Sequence, residues 1–162
     1  MSQLSAIPST LEEMKELPES SLTNAEDTAL LTIAAFARYK ENPEEALRMI
    51  DFLKGPAEVS AYEKQFIKDR FANQNFIPLS YFKGASPENG YTPSAPYEIT
   101  IIDNPHSKDQ LSEGYLTLYL KSSGADSPRM LKFRNKPSTG QWFLHEQFVL
   151  VSIKEPVSSD WA

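Results

Sequence analysis

The amino-acid sequence predicts an α+β domain whose first half is helical and whose second half is an antiparallel sheet. Apolar residues recur at helical spacing between residues 25 and 71, and they alternate with polar residues between residues 97 and 146. A segment rich in proline and glycine, residues 75–96, separates the two patterns. We therefore expect about three N-terminal helices packed on one face of a mostly antiparallel sheet of four or five strands.

The chain has 162 residues, which is enough for one domain with a buried core. We divide it into a polar N-terminal tail at residues 1–21 and a single domain at residues 22–162. Within the domain, the helical part spans residues 22–74, the Pro/Gly/Tyr loop spans residues 75–96, and the sheet spans residues 97–154. Leu11, Met14 and Leu17 have helical spacing, which allows one short helix in the tail, but a loosely held tail is the favoured interpretation.

Each predicted helix begins with a residue pair suited to its first turn: Thr23 with Glu26, Asn42 with Pro43, and Ser60 with Glu63. The first helix is apolar around most of its circumference, which predicts a central, buried helix. Gly55 and Pro56 end the second helix. In the third helix we expect the large apolar side chains to face the core: Tyr62, Phe66, Ile67 and Phe71.

The Pro/Gly/Tyr loop combines many turn residues with aromatic side chains. The aromatic side chains predict that the loop packs on the domain. Long loops in compact domains are often functional. We therefore select Tyr81, Tyr91 and Tyr97, which lie in or beside the loop, as candidate ligand- or partner-binding residues.

Alternation of apolar and polar residues predicts strands at residues 97–101, 115–120, 131–134, 141–146 and 148–153. The last run is apolar on both faces, which predicts a central or doubly covered strand. Short connections between the later strands predict hairpins and therefore antiparallel pairs.

The strand residues opposite the most apolar positions are largely aromatic and basic: Tyr115, Thr117, Tyr119, Lys132, Arg134, Phe143 and His145. If the strands pair in register, these residues form one surface of a kind that often binds a partner. The alternative is that the loop or the N-terminal tail covers this face. Tyr119, Lys132, Arg134 and His145 complete the set of candidate binding residues.

The sequence contains no Walker loop, GxGxxG, GxSxG or HExxH motif. It contains no Cys, which excludes thiolate metal sites and Cys nucleophiles. Neither His106 nor His145 has an evident catalytic partner. We therefore predict no catalytic residue, metal or cofactor, and an enzyme is the less favoured reading.

The formal net charge is −6, which argues against a nucleic-acid partner. No apolar run approaches the roughly 20 residues that cross a bilayer, so no membrane partner is expected. The N-terminal residues lack the pattern of a secretory signal. Together with the absence of Cys, these observations predict a cytoplasmic protein.

Three stretches of sequence resemble a bacterial domain family of unknown function: residues 80–93 (SYFKGASPENGYTP), Pro96–Tyr97 and Asp160–Ala162. The resemblance implies that the Pro/Gly/Tyr loop is a defining feature, and it implies no site. The later pattern Arg134 … Gly140-Gln141-Trp142-Phe143 is similar to the closing hairpin of NTF2-like folds, which implies a pocket under a curved sheet. The chain lacks the early hairpin that those folds place between their helices.

Three functions remain open at this point. The first is a non-catalytic module that binds a protein or a small molecule through its aromatic and basic residues. The second is a ligand or enzyme pocket between helices and sheet, with these polar points: Tyr81, Tyr97, Tyr119 and His145. The third is an immunity- or inhibitor-like protein whose acidic surface neutralises a basic partner. The oligomeric state is open, and a dimer through the sheet or its edge strand is compatible with the pattern.

Overall fold

The fold is that of a computed structural model, which describes residues 3–157. Within these residues, four α-helices come first: α1 (Leu11–Lys15), α2 (Ala25–Arg38), α3 (Pro43–Lys54) and α4 (Ala61–Phe71). Four strands follow in the same part of the chain: β1 (Ile101–Ile102), β2 (Tyr115–Leu120), β3 (Arg129–Lys136) and β4 (Gln141–Gln147). The predicted α+β class, with helices preceding an antiparallel sheet, is confirmed.

The strands form one antiparallel sheet in the order β1-β2-β3-β4. On its inner face, Leu118 lies opposite Leu131, and Phe133 lies opposite Leu144. All four side chains are buried in the main core. Helix α2 is joined to the edge strand β4, because the Thr28 hydroxyl donates a hydrogen bond to the carbonyl of Trp142 (2.8 Å). The inner face is therefore the one that the helices cover.

Capping explains where the helices begin. The predicted capping box of α4 is confirmed, with the Ser60 hydroxyl accepting from the Glu63 N–H (3.1 Å) and the Glu63 carboxylate accepting from the Ser60 N–H (3.0 Å). Asn42 caps α3 as predicted. The prediction for α2 is wrong by one residue, because the cap is Asn24, another favoured capping residue.

The N-terminal segment is packed onto the domain, contrary to the expected loose tail. Leu4 pairs in an isolated antiparallel bridge with Tyr97, and the side chains of Leu4 and Met14 are buried in the core. The Arg38 guanidinium on α2 donates hydrogen bonds to the backbone carbonyls of Ile7 and Pro8. The buried side chains of Leu4, Leu11 and Met14 therefore fix the N-terminal segment to the rest of the domain.

The Pro/Gly/Tyr loop packs on the domain, as its aromatic residues predict. It contains two short 3-10 helices, Ile77–Tyr81 and Pro87–Asn89. The rings of Tyr81, Phe82 and Tyr91 are buried. These three rings of the loop are therefore part of the core.

Two strand predictions are wrong. Residues 148–153 form an irregular segment, although Val149, Leu150 and Ile153 are buried. Their apolar character reflects burial beside the loop, where the carbonyl of Val149 accepts a hydrogen bond from the Tyr81 hydroxyl. Residues 97–99 are also outside the sheet, because Tyr97 and Ile99 make isolated bridges to residues 4 and 82.

Candidate functional site

The register of the sheet brings the predicted aromatic and basic residues together on the outer face. Tyr115 lies opposite Arg134, Thr117 lies opposite Lys132, and Tyr119 lies opposite Met130. Since cross-strand partners share a face, these side chains lie on the face away from the helices. We call the following residues the outer-face patch: Tyr115, Tyr119, Lys132, Arg134 and His145.

The Tyr115 ring is the centre of the outer-face patch. The Lys132 ammonium lies 4.8 Å from the ring centroid, and the Arg134 guanidinium carbon lies 5.8 Å from it. The His145 ring packs beside Tyr115, with 5.0 Å between the centroids. A cation over an aromatic face is held by the ring quadrupole. The two cations are thus positioned in the free domain.

A β-bulge in β4 determines where His145 lies. Lys132 pairs with Glu146 and Phe133 pairs with Leu144, so His145 has no partner on β3. Bulges bend a strand and redirect a side chain. Here the bulge accompanies the contact between His145 and Tyr115, which lies two strands away.

The surroundings of His145 favour its neutral form. Partial burial lowers the pKa of His145, the Glu146 carboxylate acts in the opposite direction, and the cations of Lys132, Lys54 and Arg134 lower it further. The positive charge of the outer-face patch at neutral pH therefore comes from Lys132 and Arg134.

We expect the imidazole of His145 to titrate with a midpoint below its ordinary value of about 6.5. Because the pKa is lower in the folded state, the unfolded chain takes up the proton first, so this residue's contribution to stability falls as pH drops below about 6.5. NMR titration of the ring protons measures the midpoint. Replacing Lys132 with Gln is expected to raise it, and a midpoint above 6.5 in the unaltered protein contradicts the argument.

The three candidate tyrosines of the loop region lie outside the patch. The Tyr81 hydroxyl donates to the Val149 carbonyl, and burial raises the pKa of Tyr81 well above its ordinary value. Tyr91 donates to the carbonyl of Lys154. Tyr97 packs its half-buried ring edge-on against Phe82. Tyr81 and Tyr91 are therefore inaccessible to a partner in this structure and serve to hold the loop.

A groove of about 470 Å³ lies between α4 and the end of β4, and the sequence did not indicate it. Tyr62 was expected to face the core but is 80% exposed at the rim of this groove, and Phe148 is 43% exposed there. The apolar side chains of Phe66, Ile67 and Val151 form part of its wall. We call this feature the α4–β4 groove.

Lys54 lines the α4–β4 groove although it is only 7% exposed. Its ammonium donates to the Glu63 carboxylate (3.0 Å) and to the carbonyl of His145 (3.3 Å). Burial opposes ionisation of Glu63, but hydrogen bonds from the Ser60 N–H and the Lys54 ammonium outweigh it and lower the pKa of Glu63. The pair is therefore ionic at neutral pH, as a buried charge requires.

Another cleft, of about 840 Å³, lies between the start of α2 and the sheet. Its apolar wall includes Ile101, Leu116 and Trp142. Four residues were expected to supply the polar groups of a small-ligand pocket, but none of them lines this cleft: Tyr81, Tyr97, Tyr119 and His145.

Within residues 3–157, no group of three or more His, Asp or Glu side chains is placed to hold a metal ion. His106 forms a hydrogen bond with Asp109 (2.9 Å), but both side chains are exposed in a turn. No helix of this described part is long and apolar enough to cross a membrane.

The comparisons with known proteins agree with the predicted resemblance. Residues 6–157 match the model of a family described as a domain of unknown function, DUF6935. The predicted resemblance to an uncharacterised domain family is thereby confirmed. No curated protein and no solved structure matches the chain.

Proposed function

The chain belongs to the DUF6935 family, and we propose that it is a non-catalytic module whose outer-face patch binds an acidic segment of a partner protein. The observation that carries the proposal is the Tyr115 ring with Lys132 and Arg134 positioned over it on the outer face of the sheet, where Arg134 is exposed and Tyr115 and Lys132 are half-buried. Side chains that are ordered before binding lose less conformational entropy when a partner arrives.

Charge complementarity supports an acidic partner. The whole chain carries a formal charge of −6, yet β3 presents Lys132, Arg134 and Lys136 at alternate positions on the outer face. Glu146, opposite Lys132, is the acidic neighbour of the patch. The cationic face attracts an acidic segment, and the acidic remainder of the surface repels it. An acidic segment is therefore steered to this face.

The test is selection of binding peptides from a random library displayed on phage, with the full chain as bait. We expect enrichment of peptides rich in Asp and Glu. The double variant Lys132→Glu/Arg134→Glu is expected to bind the enriched peptides at least about tenfold more weakly, which corresponds to about 1.4 kcal/mol. Fluorescence anisotropy with the labelled peptides measures the affinity, and binding should weaken as salt is raised.

The matched control is Lys40→Glu/Lys83→Glu, which makes the same change in net charge at exposed positions outside the patch. This control variant is expected to bind the peptides with an affinity within about twofold of that of the unaltered protein, because salt screens charges that lie far from the binding site. Equal losses for the two double variants, or no enrichment of acidic peptides, refute the proposal.

We also propose that the domain acts in the bacterial cytoplasm. The absence of Cys fits a reducing compartment, and the bacterial origin rests on the sequence resemblance. Fractionation of host cells tests the location, and recovery of the protein outside the cytoplasm rejects it.

A further inference from the structure

We infer that the α4–β4 groove holds a large apolar side chain of the same acidic segment that the outer-face patch binds. The inference rests on the proposed function and extends it, because it specifies a partner segment with two properties. One is negative charge over the patch. The other is a single apolar anchor, aliphatic or aromatic, placed beside the acidic residues.

The groove and the patch are continuous through His145. This side chain lines the groove, and its ring packs on Tyr115 at the centre of the patch. Glu146, the partner of Lys132 across the sheet, also lines the groove. A segment that crosses the sheet from Arg134 past His145 therefore reaches the groove without leaving the surface.

The rim of the groove has the composition of a binding hot spot. Tyr62 and Phe148 are two of the five large apolar side chains that are exposed in the described residues. The capping box of Ser60 and Glu63 fixes the backbone of the first turn of α4, which carries Tyr62. Exposed aromatic side chains around an apolar depression are typical of the centre of protein interfaces.

Lys54 supplies a polar group at the wall of the groove. An ammonium has three N–H donors, and that of Lys54 gives two of them to Glu63 and His145. The remaining donor suits a carbonyl or carboxylate oxygen that flanks the anchor. The volume of about 470 Å³ lies in the range of roughly 300–1,000 Å³ that holds a specific ligand.

The peptides selected on the full chain provide the probe. We expect them to share one large apolar residue next to their Asp or Glu residues. The variant Tyr62→Ser/Phe148→Ser is expected to lose at least tenfold in affinity for these labelled peptides. Val157→Ser, which removes another exposed apolar side chain (42% exposed), is the matched control and should change affinity less than twofold, because the Val157 N–H pairs with the carbonyl of Pro87 in the Pro/Gly/Tyr loop.

Further arms of the experiment separate the two claims. Peptides that lose affinity with Lys132→Glu/Arg134→Glu but keep it with Tyr62→Ser/Phe148→Ser uphold the proposed function and overturn the groove inference. Peptides that bind neither surface overturn both. The single variant Tyr62→Ser, whose side chain is too exposed to affect folding, must show a loss in the same direction as the double variant.

Two direct measurements complete the test. On addition of a selected peptide to ¹⁵N-labelled protein, the amide signals of Lys54 and Val151 are expected to shift, and unchanged signals there overturn the inference. Sedimentation of the unaltered protein checks for a second copy as the occupant. A dimer that Tyr62→Ser dissociates would overturn the inference, because the groove would then be filled by the chain itself.

Discussion

Replacing Tyr91 with Ala is expected to lower the free energy of unfolding by about 3–5 kcal/mol, the usual cost of removing a fully buried aromatic side chain. The Tyr91 ring stacks on Phe76 with 5.4 Å between centroids, and its hydroxyl donates to the carbonyl of Lys154. Loss of the ring therefore frees the Pro/Gly/Tyr loop from the irregular segment near the C-terminal end. Urea unfolding followed by circular dichroism measures the change.

Two further variants show which part of Tyr91 matters. Tyr91→Phe keeps the stacked ring and loses one hydrogen bond, so a loss of about 1 kcal/mol is expected. Tyr119→Ala removes a half-buried tyrosine from the outer face and is expected to cost less than about 1 kcal/mol. Equal stability of the Tyr91→Ala and Tyr119→Ala proteins would contradict the structural role of the buried ring. It would also restore Tyr91 as a candidate for partner contact.

Replacing Gly55 with Ala is expected to destabilise the domain by about 2–6 kcal/mol, because backbone strain and a steric clash add together. Gly55 ends α3 with φ 63° and ψ −126°, a conformation that side chains disfavour. A Cβ atom at this position would lie 2.5 Å from Cδ1 of the Phe143 ring. Thermal and urea unfolding measure the loss.

A double-mutant cycle separates the two contributions. Phe143→Ala removes the clashing ring, so the double variant Gly55→Ala/Phe143→Ala should be more stable than the sum of the single effects by about 0.5–3 kcal/mol. Gly140→Ala is the control for strain alone, since its φ is +73° and no atom lies within 4 Å of the added Cβ. It is expected to cost about 1–2 kcal/mol. Strict additivity in the cycle would refute the clash.

Features that depend on a few neighbouring residues were predictable from the sequence. The predicted caps at Asn42 and Ser60 are confirmed, because a capping hydrogen bond joins residues that are only three positions apart in the sequence. The predicted assignment of side chains to the two faces of the sheet is confirmed. Period-two alternation assigns Lys132 and Arg134 to the face opposite Leu131 and Phe133.

Features that depend on distant parts of the chain were not predictable. An apolar run such as residues 148–153 is the same in sequence whether a sheet or a loop buries it, and only the tertiary contacts of Val149 decide. The α4–β4 groove was not predicted from the sequence for a similar reason. The apolar stem of Lys54 can be buried while its ammonium is paired, and no sequence period predicts which exposed aromatic residue remains unpacked.

The buried tyrosine hydroxyls of the Pro/Gly/Tyr loop bind carbonyls that are synthesised much later than the loop itself. Helices and hairpins need mainly contacts that are close in sequence. The hydroxyls of Tyr81 and Tyr91, by contrast, must wait for carbonyls that are made 68 and 63 residues later. A nascent chain that ends before these acceptors lacks both hydrogen bonds, so the core under the loop is completed only once Lys154 has left the ribosome.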